Sequence, residues 1–155
     1  MEPRLDYMKL APDAIRAMRE LEAYARRSEI EPKLRELVKI RASQINGCAY
    51  CIDMHTIDAR AGGETEQRIY ALSAWRETPF FSDRERAALA WTEALTLLSE
   101  SHAPDEVYEE ARAYFGEKEL VDLTMAITTI NAWTRLAVGF RGVPGTYRRP
   151  APRSE

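Results

Sequence analysis

Proline and glycine fall at regular intervals along this chain, and the segments between them carry apolar residues three to four positions apart. That spacing belongs to amphipathic helices, and almost no stretch alternates with the two-residue period of a strand. Pro12, Pro32 and Pro104 stand where helices would begin, at positions that need no backbone N–H. Gly47, the Gly62–Gly63 pair and Gly116 stand where helices would end. The pattern predicts helices over about 12–27, 32–46, 48–61, 65–75, 82–99, 104–115 and 118–140. Thr65 can cap the fourth, and Ser82 with Glu85 has the spacing of a capping box at the fifth. The expectation is an all-α, single-domain bundle of about six or seven helices, with short connections that favour antiparallel neighbours. Residues 1–140 form its helical domain, and the Arg/Pro-rich tail 141–155 is expected to be poorly ordered or docked on a neighbour. The last helix carries Leu120, Leu123, Ala126, Ile127, Ile130 and Leu136, an apolar surface suited to the centre of the bundle or to an oligomer interface.

At 155 residues the chain can bury a core without covalent staples. Its 45% hydrophobic content excludes bulk disorder. A net charge of -3 argues against a nucleic-acid partner. No apolar run approaches the ~20 residues of a membrane helix, and the opening MEPRLDYMKLAPD lacks the apolar centre of a signal peptide. These features point to the cytoplasm, where thiols stay reduced. The two cysteines, Cys48 and Cys51, are too few for a disulfide framework, and their spacing suggests chemistry instead.

On a helix, Cys48, Cys51 and His55 fall within an arc of about 60°. Cys51 and His55 are four residues apart and therefore surface neighbours. Cys48 belongs to the first turn, where free amides and the helix dipole favour a thiolate. A Cys-x-x-Cys pair there can close a disulfide with little backbone movement, and a nearby imidazole can take or return a proton. These are the parts of a reversible dithiol catalyst. The spacing alone leaves other readings open. Cys48, Cys51 and His55 could hold zinc if His102 or a neighbouring chain supplied a fourth ligand. A thioredoxin-like site would need a preceding strand, which is not in the pattern. The cysteines could also be small residues on a core-facing stripe, with His55 simply hydrogen-bonded.

The segment Glu36-Leu-Val-Lys-Ile-Arg-Ala-Ser-Gln-Ile-Asn-Gly-Cys-Ala-Tyr-Cys-Ile-Asp-Met-His55 resembles the core of the AhpD-type alkylhydroperoxidases, in the carboxymuconolactone decarboxylase superfamily. The pattern of that group is a glutamate, Cys-x-x-Cys twelve residues later, and a histidine four residues past the second cysteine. Glu36, Cys48, Cys51 and His55 match it, and Asn131-Ala-Trp-Thr-Arg135 resembles part of the family's final helix. The resemblance implies an all-helical chain in a homo-oligomer, a trimer or hexamer. It implies a thiol-dependent peroxidase that reduces organic hydroperoxides, with Cys51 attacking the peroxide, Cys48 resolving the sulfenic acid, and Glu36 and His55 carrying protons. Electrons would come from an external thiol donor, a lipoyl dithiol protein in the best-known members, with no metal or organic cofactor. Tyr50 stands where the best-known peroxidase has a histidine. A phenol is a poor proton carrier near neutral pH, so Tyr50 reads as a packing or substrate-gate residue. The alternatives are a decarboxylase-like enzyme acting on a cyclic lactone, with incidental cysteines, and a non-enzymatic redox-sensing or zinc-binding module.

Periodicity and resemblance disagree about Glu36. Leu34, Leu37, Val38 and Ile45 define an apolar face, and Glu36 falls opposite it with Ile40 and Ser43. Periodicity thus predicts a solvated Glu36 beside Lys33 or Lys39, whereas the resemblance brings it to the cysteines. Both can hold if the helix is covered on two sides, for example by a second subunit. Arg41 lies within the apolar face and is expected to be paired. Asp58 is expected to be solvated beside Arg60, with orientation of His55 as the other option. His102 reads as a surface or capping residue, and Trp75, Trp91 and Trp133 as core or interface. Arg141, Arg148, Arg149 and Arg153 make a basic, solvated tail.

Overall fold

The computed structural model describes residues 1–149, and among these it contains nine α-helices and one 3-10 segment, with no strand. In chain order they are α1 (Tyr7–Leu10), α2 (Pro12–Arg27), α3 (Pro32–Ile45), α4 (Ala49–Ala61), α5 (Glu66–Ala71), the 3-10 segment Leu72–Glu77, α6 (Asp83–Thr96), α7 (Leu98–Ser101), α8 (Asp105–Tyr114) and α9 (Glu117–Gly139). The all-α expectation holds. The additional elements are single turns and breaks within longer predicted segments. Residues 65–75 do not form one helix, because Ala74 leaves helical geometry at φ -118°, ψ 33° inside the 3-10 segment. The fifth predicted helix stops at Thr96, because Leu97 at φ -97°, ψ 38° turns the chain into α7. Gly116 opens α9 and does not close α8, and its N–H is held by the Glu119 carboxylate at 3.0 Å.

The predicted caps form. Thr65 accepts from the Arg68 N–H at 3.2 Å. Ser82 accepts from the Glu85 N–H at 3.3 Å, while Glu85 accepts from the Ser82 N–H at 2.8 Å. Arg41 is paired as expected, donating from Nε to Glu93 at 2.8 Å.

Helix α3 sits at the centre, packed against α4, α6 and α9. Leu34 and Val38 join a core with Trp91, Leu123 and Ile127. Leu37 and Ile40 join a second core with Leu72, Trp75 and Leu89. Ala42 meets Cys48, Cys51, Ile130 and Ala137 in a third. The helix is thus covered on several sides within one chain, and no second subunit is needed to bury the side that carries Ile40 and Ser43. Lys39 is also engulfed, at 1% exposure, and its ammonium is ion-paired to Glu22. A buried lysine without such a partner would be strongly destabilising. Helix α9 lies along α2, α3 and α6, burying Leu120, Leu123, Ala126, Ile127 and Ile130 and leaving Val121 and Val138 exposed. No helix of the described residues is long and apolar enough to cross a membrane.

Candidate active site

The turn between α3 and α4 sets the position of the cysteines. Gly47 adopts φ +63°, a left-handed conformation that costs glycine little. Its N–H bonds the Gln44 carbonyl at 3.2 Å, and the Cys48 N–H bonds the Ser43 carbonyl at 2.9 Å. This double closure is the Schellman ending of a helix. It delivers Cys48 directly to the N-cap of α4, so the helix starts at Ala49, one residue later than predicted. The Cys48 sulfur accepts from the Cys51 N–H at 3.3 Å, as capping oxygens do elsewhere. The two sulfurs are at disulfide-bonding distance, with Cα atoms 5.3 Å apart. Both cysteines are buried, at 2% and 1% exposure.

The turn is tethered from α9. Asn46 donates to Asn131 Oδ1 at 2.9 Å and to Thr134 Oγ1 at 3.1 Å. Asn131 in turn donates to Thr96 Oγ1 at 3.1 Å. Sequence reasoning noticed the Asn131–Arg135 stretch only as a resemblance. Its physical work is to hold the residue immediately before Gly47.

His55 lies one turn beyond Cys51 and is buried. Its Nδ1 is 2.8 Å from Glu36 Oε2. The expectation of a solvated Glu36 therefore fails. The surface beside it is occupied by α4, which the α3–α4 turn folds back alongside α3. Burial pushes the Glu36 carboxyl up, but the His55 hydrogen bond and the charges of His55, Lys39 and Arg35 outweigh it and hold the carboxyl below its ordinary range.

Asp58 is one turn further along α4 and also faces the site. It is not solvated beside Arg60, which pairs with Glu66 at 2.5 Å, and among the described residues it makes no hydrogen bond to His55, whose Nδ1 goes to Glu36. Asp58 accepts from the Tyr147 hydroxyl at 3.0 and 3.1 Å, with Arg149 Nε 3.8 Å away. The Tyr147 hydroxyl is pushed up to about 12 by burial and then by its bond to Asp58, so it stays a donor at neutral pH. The described part of the basic tail thus folds across α4. The Gly145 N–H bonds Asp53 at 2.7 Å, and Gly142 crosses Tyr50 so closely that a Cβ there would sit 3.4 Å from the tyrosine ring. Tyr50 is therefore partly a packing residue. Tyr147 was missed from sequence because an aromatic among glycines, prolines and arginines carries no periodic signal. Arg153 lies outside the described residues.

These groups surround a cavity of about 760 Å³. Glu36, Cys51, His55, Asp58, Tyr50 and Tyr147 line it, and Cys48 does not. Trp133 also lines it, whereas Trp75 and Trp91 belong to the cores, as expected. Among the described residues, the one cluster of three metal-capable groups is Glu36, His55 and Asp58, with candidate ligand atoms within 4.8 Å of one another. It joins His55 to two carboxylates, a different set from the cysteine-rich zinc site weighed from spacing. His102 caps the end of α7 in the left-handed region at φ 54° and is exposed, as expected.

Comparison with known proteins follows the same lines. The carboxymuconolactone decarboxylase family model matches residues 11–94, more than half of the chain. The uncharacterised protein YdfG of Bacillus subtilis strain 168 is 48% identical over 138 residues, covering 89% of this chain and 94% of its own length. A protein of unknown function from Agrobacterium tumefaciens, proposed to be the antioxidant defence protein AhpD, superposes with a TM-score of 0.91 at 44% identity, covering 94% of this chain and 100% of that one. The debrominase Bmp8 shares the fold at 20% identity, with a TM-score of 0.77 over 90% of this chain and 75% of its own, so the fold carries enzymes. The chain belongs to the carboxymuconolactone decarboxylase family, among its AhpD-type members.

Proposed function

We propose that this protein is a thiol-dependent peroxidase that reduces organic hydroperoxides through a Cys48/Cys51 dithiol–disulfide cycle. The observation that supports it best is an asymmetry between two adjacent sulfurs. Cys51 lines the cavity beside the hydrogen-bonded His55–Glu36 pair, while Cys48 stands off the cavity within bonding distance of Cys51.

In the reduced protein, the His55–Glu36 pair takes the Cys51 thiol proton. The thiolate attacks the terminal peroxide oxygen: the S–O bond forms, the O–O bond breaks, and the alkoxide leaves with a proton as an alcohol. Cys51 is now a sulfenic acid. The Cys48 sulfur attacks it, the S–S bond forms, the S–O bond breaks, and water leaves with the Cys48 proton. An external dithiol, on a lipoyl-bearing protein in this reading, reduces the disulfide by exchange and is itself oxidised. The amides at the start of α4 favour negative charge on both sulfurs, which aids each attack. The trimer or hexamer implied by the resemblance is part of the same proposal, and analytical ultracentrifugation tests it.

The direct test is a single-turnover reaction. Reduced, metal-free protein is mixed with one equivalent of cumene hydroperoxide, and free thiols are counted over time. Loss of two thiols per peroxide, much faster than for free dithiothreitol, is the expected result. In Cys48→Ser the first oxidation persists and dimedone traps a sulfenic acid, whereas Cys51→Ser consumes no peroxide above background. Thiol loss no faster than the free dithiol overturns the proposal.

A further inference from the structure

The cavity is much larger than peroxide reduction requires. Hydrogen peroxide, about the size of two waters, or roughly 60 Å³, would fill less than about a tenth of it. A volume of about 760 Å³ lies well within the range of pockets that enclose organic ligands. Its walls also divide by chemistry. Met8, Met54 and Trp133 supply an apolar side.

The polar side is unevenly satisfied. Each acid lining the cavity has a close partner: Glu22 holds Lys39 and Arg26, Glu36 holds His55, and Asp58 holds the Tyr147 hydroxyl. Of the cations lining it, Arg26 pairs with Glu22 and Arg35 donates to the Ala25, Arg26 and Ile30 carbonyls, whereas three exposed ones have no close carboxylate among the described residues. Arg19 is exposed and pairs with no carboxylate among the described residues. Lys33 bonds the Gly63 carbonyl, at 3.3 Å, and no carboxylate among the described residues. Arg149 makes only a long ion pair, 3.8 Å, with Asp58, whose carboxylate is already engaged by the Tyr147 hydroxyl. The exposed lining of the cavity therefore carries positive charge that is unpaired or loosely paired, on a chain whose net charge is -3. The three cations come from α2, α3 and the tail, so tertiary structure gathers them.

We propose that the cavity takes a hydroperoxide that carries a carboxylate. Its charged end is held by Arg19, Lys33 and Arg149, and its apolar body lies along Met8, Met54 and Trp133 toward Cys51. This rests on the peroxidase reading for its chemistry and on the charge distribution for its selectivity. Arg19 and Arg149 are specificity residues in it and take no part in proton transfer.

The test compares linoleic acid hydroperoxide with its methyl ester, both below their aggregation concentrations. The two share a tail and differ in charge. Stopped-flow oxidation of Cys51 is expected to favour the acid by about tenfold, with the preference shrinking as salt screens these cations. The double variant Arg19→Gln/Arg149→Gln is expected to cut that preference about fivefold, the size of two exposed charge contacts. Arg16→Gln, which breaks a pair with Asp13 outside the cavity, leaves the preference intact. Equal rates for acid and ester, or a preference that the double variant does not move, overturn the proposal. Calorimetric titration of the oxidised protein with decanoate and decanol separates the two readings, because it needs no peroxide. Tighter binding of decanoate, without thiol loss to either hydroperoxide, would keep the anionic site and remove the peroxidase. Equal affinities would remove the anionic site alone.

Discussion

Glu36 and Glu93 are both shielded glutamates facing helix α3 or carried by it, and they have been put to opposite uses. Glu93 is saturated. It accepts from Arg41 Nε at 2.8 Å and from the Trp75 indole N–H at 2.8 Å, and it is also paired with Arg76. Burial pushes its carboxyl up, and these three donors more than reverse the effect. Glu36 has one side-chain hydrogen bond, to His55, and opens onto a cavity. A carboxylate held by two guanidiniums and an indole has no partner that can exchange a proton near neutral pH. A carboxylate held by one imidazole has such a partner, because a ring nitrogen can both take and give a proton. The half of the molecule around Glu93 is thus locked by polar contacts, and the half around Glu36 is left chemically free.

The largest expected effect separates the two by activity. Glu36→Gln keeps the shape and a hydrogen-bonding group but loses the base, so single-turnover thiol oxidation should slow by about 10²-fold. Circular dichroism should show an unchanged helical content. If the rate holds, Glu36 is a structural partner of His55 like any other. Next comes Glu93→Ala, which leaves the Arg41 and Trp75 donors without their acceptor. Urea unfolding should show a loss of about 2–4 kcal/mol, with thiol chemistry intact in the folded protein.

The third effect concerns acid. Both carboxyls are held below the ordinary range, so each contributes stability that is complete above about pH 4.5 and is lost as pH falls through its lowered value. Melting temperatures followed downward from pH 6 should therefore decline, and Glu93→Ala should flatten that decline. An unaltered slope in the variant would mean that Glu93 is not the group being protonated. The smallest effect belongs to Tyr147→Phe, which removes the hydroxyl from Asp58. About 1 kcal/mol or less of stability should be lost, together with faster proteolytic clipping of the C-terminal segment. A larger loss would make the tail part of the core.

The contrast between the glutamates was only half readable beforehand. Arg41 betrayed itself as a charge within an apolar stripe, so its pairing was predictable even though Glu93 was not named. Glu36 lay opposite that stripe, and periodicity alone sent it to solvent. Periodicity assumes one buried face and one wet face, whereas α3 is covered by α4, α6 and α9. Lys39 defied the rule for the same reason, and its partner Glu22 comes from a helix whose spacing gives no hint of the contact. Asp58 failed differently: its partner is Tyr147, 89 residues away in a segment without periodicity.

Local chemistry could be settled from the residue order, because its causes act over a few residues. Proline starts, the glycine ends at Gly47 and Gly62, the Ser82–Glu85 box, the all-helical class and the shared face of Cys51 and His55 all depend on neighbours one to four positions apart. The Glu36–His55 hydrogen bond spans two helices. The cavity draws on α1, α2, α3, α4, α9 and the tail, and its unpaired or loosely paired cations come from three separate segments. Those features exist only once long-range packing has decided which faces meet, because a side chain's partner across a helix interface depends on the crossing of the helices and not on its distance along the chain.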